Sequence, residues 1–227
     1  MTAPFYVSPE QWYQDKAEYA RKGIARGKPI VAIECAEGIV TLGENRSASL
    51  RKISEIYDRI AFAGVGKFDE YENLRKAGIR YADMRGYSYC REDVSAKSLA
   101  NEYSTLLASV FTREMKPMEV EILVVAVEDK DSSLYQILYD GSVTDHEHFV
   151  SIGGDSDQLR SVLREGWKEK MPLADAVRLG CKALSSAGDG ANHLDEKSLE
   201  IATLDRRREG RKFRRLSVEE IRELLSG

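Results

Sequence analysis

KPIVAIECAEGIVTLGENRSASLRKISEIYDRIAFAGVG, residues 28–66, holds four short strand-like runs and no helical one. The first two, 29–35 and 38–43, are joined by Ala36-Glu37, and Gly38 supplies turn freedom for a hairpin. The next two, 52–57 and 59–63, are closed by Gly64-Val65-Gly66. Four strands in a row, with no helix between them, argue against a βαβ alternation and for antiparallel sheets.

Outward from this block the pattern changes to helices. On its N-terminal side, Ser8-Pro9-Glu10-Gln11 combines an N-cap serine, a proline at the first helical position and a glutamine at the reciprocal capping-box position. That predicts a helix from Pro9 to about Ala25. On the C-terminal side, helical stretches are expected over about 68–85 and 95–115. In the second, Leu99, Tyr103, Leu106, Val110 and Phe111 follow the i, i+3, i+4 spacing. Strands return at 120–127, 134–139 and 149–152, with turns at Asp140-Gly141 and Gly153-Gly154. Two helices at about 156–170 and 173–187 are separated by Met171-Pro172. The Gly- and Asp-rich 187–194 reads as loop. Strands at 199–204 and 211–216 precede a last helix that opens with the capping box Ser217-Val218-Glu219-Glu220. Blocks of strands alternating with pairs of helices predict an α+β protein, a four-layer αββα sandwich.

The 227 residues suffice for one sizeable domain, taken as residues 9–227, preceded by a tail of residues 1–8. Apolar residues make up 42% and charged residues 32%, as in ordinary globular proteins, and a net charge of -4 gives no reason to expect nucleic acid or an anionic membrane as partner. No apolar run approaches the roughly 20 residues that span a bilayer, and the N-terminus lacks the basic and apolar regions of a secretory signal. Cys35, Cys90 and Cys181 are odd in number and far apart, which argues against a disulfide framework and suits a reducing cytoplasm. Cys35 and Cys181 read as small buried fillers.

SPEQWYQDKAEYARKGIARGKPIVAIE (8–34) and RKISEIYDRIAFAGVGKFDEYENLRKAGIRYADMRGYSY (51–89) are joined, in order, by KPMEVEILVV, YDGSV, HFVSIGG and the late pair LEIATLDR and KFRRLS. Together these blocks resemble the α subunits of actinobacterial-type proteasomes, over roughly residues 4–225. The resemblance implies the N-terminal-nucleophile hydrolase fold. It implies a heptameric ring of copies of this chain, stacked on proteasome β subunits that carry the threonine protease sites. It also implies docking of an AAA+ ATPase or another ring activator through C-terminal tails, with substrates tagged by a small ubiquitin-like protein reached indirectly. No cofactor is implied. The alternative from another class is a self-compartmentalised hydrolase that is itself active.

A catalytic subunit of this type needs a threonine at its own N-terminus on the first strand, where the free amine and a nearby lysine activate the hydroxyl. Here that strand begins Lys28-Pro29-Ile30, without threonine, and a helix precedes it, so no catalytic residue is assigned. Lys52 alone reads as an exposed strand lysine. The resemblance instead places it in a pocket between neighbouring subunits that receives an activator's terminal carboxylate, with Arg26 and Gly27 on the pocket wall. Without the resemblance, those two read as a cationic last turn and a glycine stop. Glu44 reads as a solvated hairpin residue. Thr2, Ala3, Pro4, Phe5, Tyr6, Val7 and Ser8 form the expected gate at the ring axis. His146 and His148 on one strand face suggest a metal, but lack a third ligand and read as a solvated strand entry. Gly64-Val65-Gly66 lacks the rest of a dinucleotide fingerprint. Arg206-Arg207-Arg208 with Arg211-Lys212 reads as a solvated basic turn.

Overall fold

Helix α1 (Pro9–Ala25) is capped by Ser8, whose Oγ accepts from Gln11 N at 3.2 Å. Only this half of the predicted capping box forms, because the Gln11 amide turns down the helix to Asp15. The computed structural model describes residues 8–47, 49–128, 131–154, 156–187, 194 and 196–226. Residues 2–7 of the expected gate, and residues 188–193 of the expected loop, lie outside the described residues.

The hairpin of β1 (Ile30–Cys35) and β2 (Gly38–Glu44) and that of β3 (Ile53–Tyr57) and β4 (Ile60–Gly66) go to different sheets. Helices α2 (Phe68–Ser88) and α3 (Ala96–Arg113) follow, then β5 (Val120–Val127), β6 (Ser132–Ile137), β7 (Val143–His146) and β8 (Phe149–Ile152). The chain ends with α4 (Ser156–Gly166), α5 (Leu173–Ser185), β9 (Leu199–Asp205), β10 (Phe213–Arg215) and α6 (Val218–Ser226). One sheet runs β10-β9-β2-β1-β8 and the other β3-β4-β5-β6-β7, with every adjacent pair antiparallel.

The period of two along the central strands builds the layers. In β5, Leu123, Val125 and Val127 face the other sheet, while Ile122, Val124 and Ala126 face α2 and α3. In β1, Ile30 and Ala32 point between the sheets, and Val31, Ile33 and Cys35 point to α4 and α5. Strands covered on both faces read as nearly unbroken apolar runs for this reason. The result is the expected four-layer αββα sandwich. Helix α1 adds to it at one end, where Ala20 and Ile24 join Ile30, Val65 and Ile152 in the inter-sheet core. Buried Lys16 ties α1 to the end of α3 by donating to the carbonyls of Phe111 and, at 2.6 Å, Glu114.

Some boundaries differ from the sequence expectation. Strand β4 continues through Gly64-Val65-Gly66, because these residues pair with Ile122, Glu121 and Val120. Helix α2 runs three residues past Arg85. Helix α4 stops at Gly166 because Trp167 turns inward and its indole donates to Glu34 O at 3.0 Å. The last strand shrinks to Phe213–Arg215. Strand β7 is an edge strand, VTDH, whose exposed polar residues carry no apolar alternation. The Ser217 capping box forms in both directions, with Ser217 N donating to Glu220 at 2.9 Å and Glu220 N to Ser217 Oγ at 3.2 Å. Among the described residues, no helix is long and apolar enough to cross a membrane.

Candidate docking site

The segment from the end of α1 into β1 is held by its neighbours rather than by its own cap. Gly27 is not in the left-handed region, which corrects the reading of a glycine stop. Its N–H donates to Ile24 O at 2.9 Å, and a Cβ placed there would lie 2.6 Å from Val65 Cγ1. Glycine is required by close approach to β4, not by backbone conformation. Arg26 is the exposed C-cap.

Lys52 lies directly before β3, and its main-chain oxygen accepts from Gly64 N at 3.1 Å. Its ammonium is not free in solvent. It donates to Glu44 O at 3.0 Å and to Lys28 O at 3.3 Å, so it reaches across to both the end of β2 and the entry to β1. Burial lowers its pKa, and the like charge of Lys28 acts the same way, against the opposing pull of Glu200 and Glu44. An ammonium has three N–H donors. Two are engaged by these carbonyls, which leaves one for an anionic oxygen.

Glu44 corrects its expectation as well. It is buried at the end of β2, where Lys28 Nζ lies 3.2 Å and Arg46 Nε 2.8 Å from its carboxylate. Burial opposes its charge, but the bonds to Lys28 and Arg46 prevail and hold its pKa below the ordinary carboxylate value.

Sequence reasoning missed Glu200. This 4% exposed residue on β9 accepts from Lys52 N at 3.1 Å, Ile53 N at 3.2 Å and Asn45 Nδ2 at 2.6 Å, with Arg215 Nη2 at 3.4 Å. It fixes the start of β3 and hence the root of the Lys52 side chain. The available signal was one acid inside the mostly apolar LEIATL.

The histidines separate. His146 Nε2 meets Gln136 Oε1 at 2.6 Å, while His148, at φ 66°, stacks on Trp167 and meets Glu34 at 3.1 Å. Neither is the solvated strand entry expected. The basic turn is largely ion-paired: Arg206 with Glu34, Arg207 with Asp205, and Arg211 with Glu55. Cys35 and Cys181 are pushed up to about 11 by burial and stay as thiols, whereas Cys90 is exposed. Among the described residues, no group of His, Cys, Asp and Glu is placed to hold a metal ion.

Two antiparallel sheets between helix pairs, with an extra helix before the first strand, define an α+β sandwich. The family model of the proteasome subunit matches residues 24–204. The chain is 52% identical to the proteasome subunit alpha of Kineococcus radiotolerans, covering 100% of this chain and 99% of that one. It is 50% identical to that of Arthrobacter sp. strain FB24, over 100% and 99%, and 49% identical to that of Frankia alni, over 100% and 98%. The chain therefore belongs to the proteasome subunit family, and within it to the actinobacterial alpha type.

Proposed function

We propose that the chain forms the outer heptameric ring of a cytoplasmic core proteasome, gating entry and docking an ATPase or other ring activator, and that it cuts nothing itself. The β subunits of the particle supply the threonine protease. The observation that carries the docking role is the Lys52 ammonium. It is held by Glu44 O and Lys28 O beside the Gly27 wall, with one donor left to give. A compact ammonium of this kind suits a peptide's terminal carboxylate.

The lack of catalysis has its own support. An N-terminal nucleophile needs a free amine on the first strand. Here the peptide runs on from Lys28 into α1, Lys28 O accepts from Lys52, and Lys28 Nζ is paired with Glu44. Residues 2–8, with Phe5 and Tyr6 ahead of a firm cap at Ser8, supply the gate.

In the assembled particle, Lys52→Ala should abolish activator-stimulated degradation while basal peptide hydrolysis and ring assembly stay near normal. Stimulation equal to wild type would refute docking through Lys52. Deleting residues 2–8 should raise basal hydrolysis of small peptides, and unchanged hydrolysis in an intact particle would refute the gate. Peptidase activity in a β-free preparation would refute the non-catalytic reading.

A further inference from the structure

Glu121 is a third buried acid, close to the same wall, 6% exposed, and the docking chemistry does not use it. It sits on β5 directly opposite Val65 of β4. Val65 is the surface on which two glycines converge. A Cβ on Gly27 would lie 2.6 Å from Val65 Cγ1, and one on Gly153 would lie 3.0 Å from it and 3.1 Å from Pro29 Cα. A Cβ on Gly154 would lie 3.0 Å from Ala25 O. Gly153 has φ 97°, a conformation that favours glycine. The turn from β8 into α4 is therefore laid against the segment that leads from α1 into β1.

One carboxylate holds that turn. Glu121 Oε2 accepts from Gly153 N at 2.8 Å, and its Oε1 accepts from Gln136 Nε2. Gln136 Oε1 in turn faces His146 Nε2 at 2.6 Å and accepts from Arg160 Nη2 at 3.3 Å, and the same nitrogen of Arg160 donates to Ser151 O at 3.3 Å. The groups around the carboxylate thus come from β6, β7, α4 and the β8–α4 turn. Gly153 N and Gln136 Nε2 donate to Glu121, and the groups behind Gln136 face its oxygen, so the order runs one way, toward the carboxylate. A carboxylate with two acceptor oxygens completes this order, and an amide at the same place would confront one donor with another. Burial raises the pKa of Glu121 against the lowering effect of Gly153 N, Gln136 and Arg160. Burial and Arg160 lower that of His146.

We propose that Glu121, continued through Gln136 to Arg160 and His146, is a positioning residue that fixes the Gly153–Gly154 turn as the backing of the Gly27–Pro29 wall. Its bearing on activator docking rests on the function proposed for Lys52; its effect on the turn does not.

The test compares wild type, Glu121→Gln and the swap Glu121→Gln with Gln136→Glu in the assembled particle. The swap restores every donor to an acceptor. The amide now at position 121 accepts from Gly153 N and donates to the carboxylate now at position 136, which in turn faces His146 and Arg160. Hydrogen exchange at residues 22–29 and 153–154 should rise about tenfold in the single variant, as for one lost buried hydrogen bond, and return in the swap. Affinity for a synthetic peptide copying the ATPase C-terminus should fall and recover in parallel. Unchanged exchange in Glu121→Gln, a rise spread equally over β1, β5 and β9, or no recovery in the swap would each overturn the positioning role. Failure of Lys52→Ala to alter peptide affinity would remove the docking consequence alone and leave the exchange result to decide Glu121.

Discussion

Strand β1 has ionisable residues gathered at both of its ends, and the two ends use them differently. Where it begins, Lys28, Lys52 and Glu44 meet around main-chain carbonyls, and the Lys52 ammonium keeps one donor unspent. Where it ends, Glu34 is closed in by His148 at 3.1 Å and Arg206 at 3.5 Å, and His148 lies flat on Trp167 with centroids 4.0 Å apart. The Trp167 indole then bonds Glu34 O. At the second end Glu34 is paired with Arg206 and His148, and the Trp167 indole staples β1 to the segment after α4. At the first end, backbone carbonyls position a cation without neutralising it. Ionisable residues thus give a fastener at one end and, on the function proposed for Lys52, a receptor at the other.

The comparison predicts large stability effects for the groups that support each end. Glu200→Ala should cost about 3 kcal/mol, since it leaves Lys52 N, Ile53 N and Arg215 without their buried acceptor. Urea unfolding would show this as a lower midpoint at unchanged slope, and a loss below about 1 kcal/mol would mean that Glu200 is not the root of the site. Trp167→Ala should cost about 2 kcal/mol through the lost stack and its contacts with the α4–α5 layer, while binding of activator peptide stays unchanged. Weakened peptide binding in that variant would show that the two ends are not independent.

A smaller effect comes from pH. The pKa of Glu44 in the folded chain lies below its ordinary 4.5, so its contribution is present above 4.5 and is lost as pH falls through the folded value. Arg46→Ala removes one of its two partners, on an exposed side chain, and should narrow that acid-side loss by only a few tenths of a kcal/mol. Stability measured from about pH 3 to about pH 6 in both proteins, spanning the ordinary carboxylate range, checks the sign. A wider loss in Arg46→Ala would contradict it.

The layers were legible in sequence because β1, β2 and β5 are buried on both faces and read as apolar runs, and because Ser8 and Ser217 announce two helices. Strand β7 was not, since an exposed four-residue edge strand with one apolar residue carries no periodicity. Lys52 and Gly27 were picked out through family resemblance, and the structure joins them through Lys28 O. Glu44 was misread because its burial comes from β9 pairing alongside β2 and from cations at two different sequence distances. Glu200 and Glu121 were invisible for the same reason. Each is an acid set among apolar strand residues, and its partners are brought from afar by the topology.

The central claim is that Lys52 binds a terminal carboxylate, and the most direct measurement pairs two peptides with two proteins. One peptide carries the activator's C-terminal sequence with its free carboxylate, the other is its C-terminal amide. Each is titrated into wild type and Lys52→Ala in the assembled ring. A charge-assisted bond contributes about 1.5–3 kcal/mol, so amidation should weaken binding to wild type by at least about tenfold. It should make no difference to Lys52→Ala, which binds both peptides as weakly as wild type binds the amide. Equal affinity of the free acid for wild type and Lys52→Ala would contradict the account.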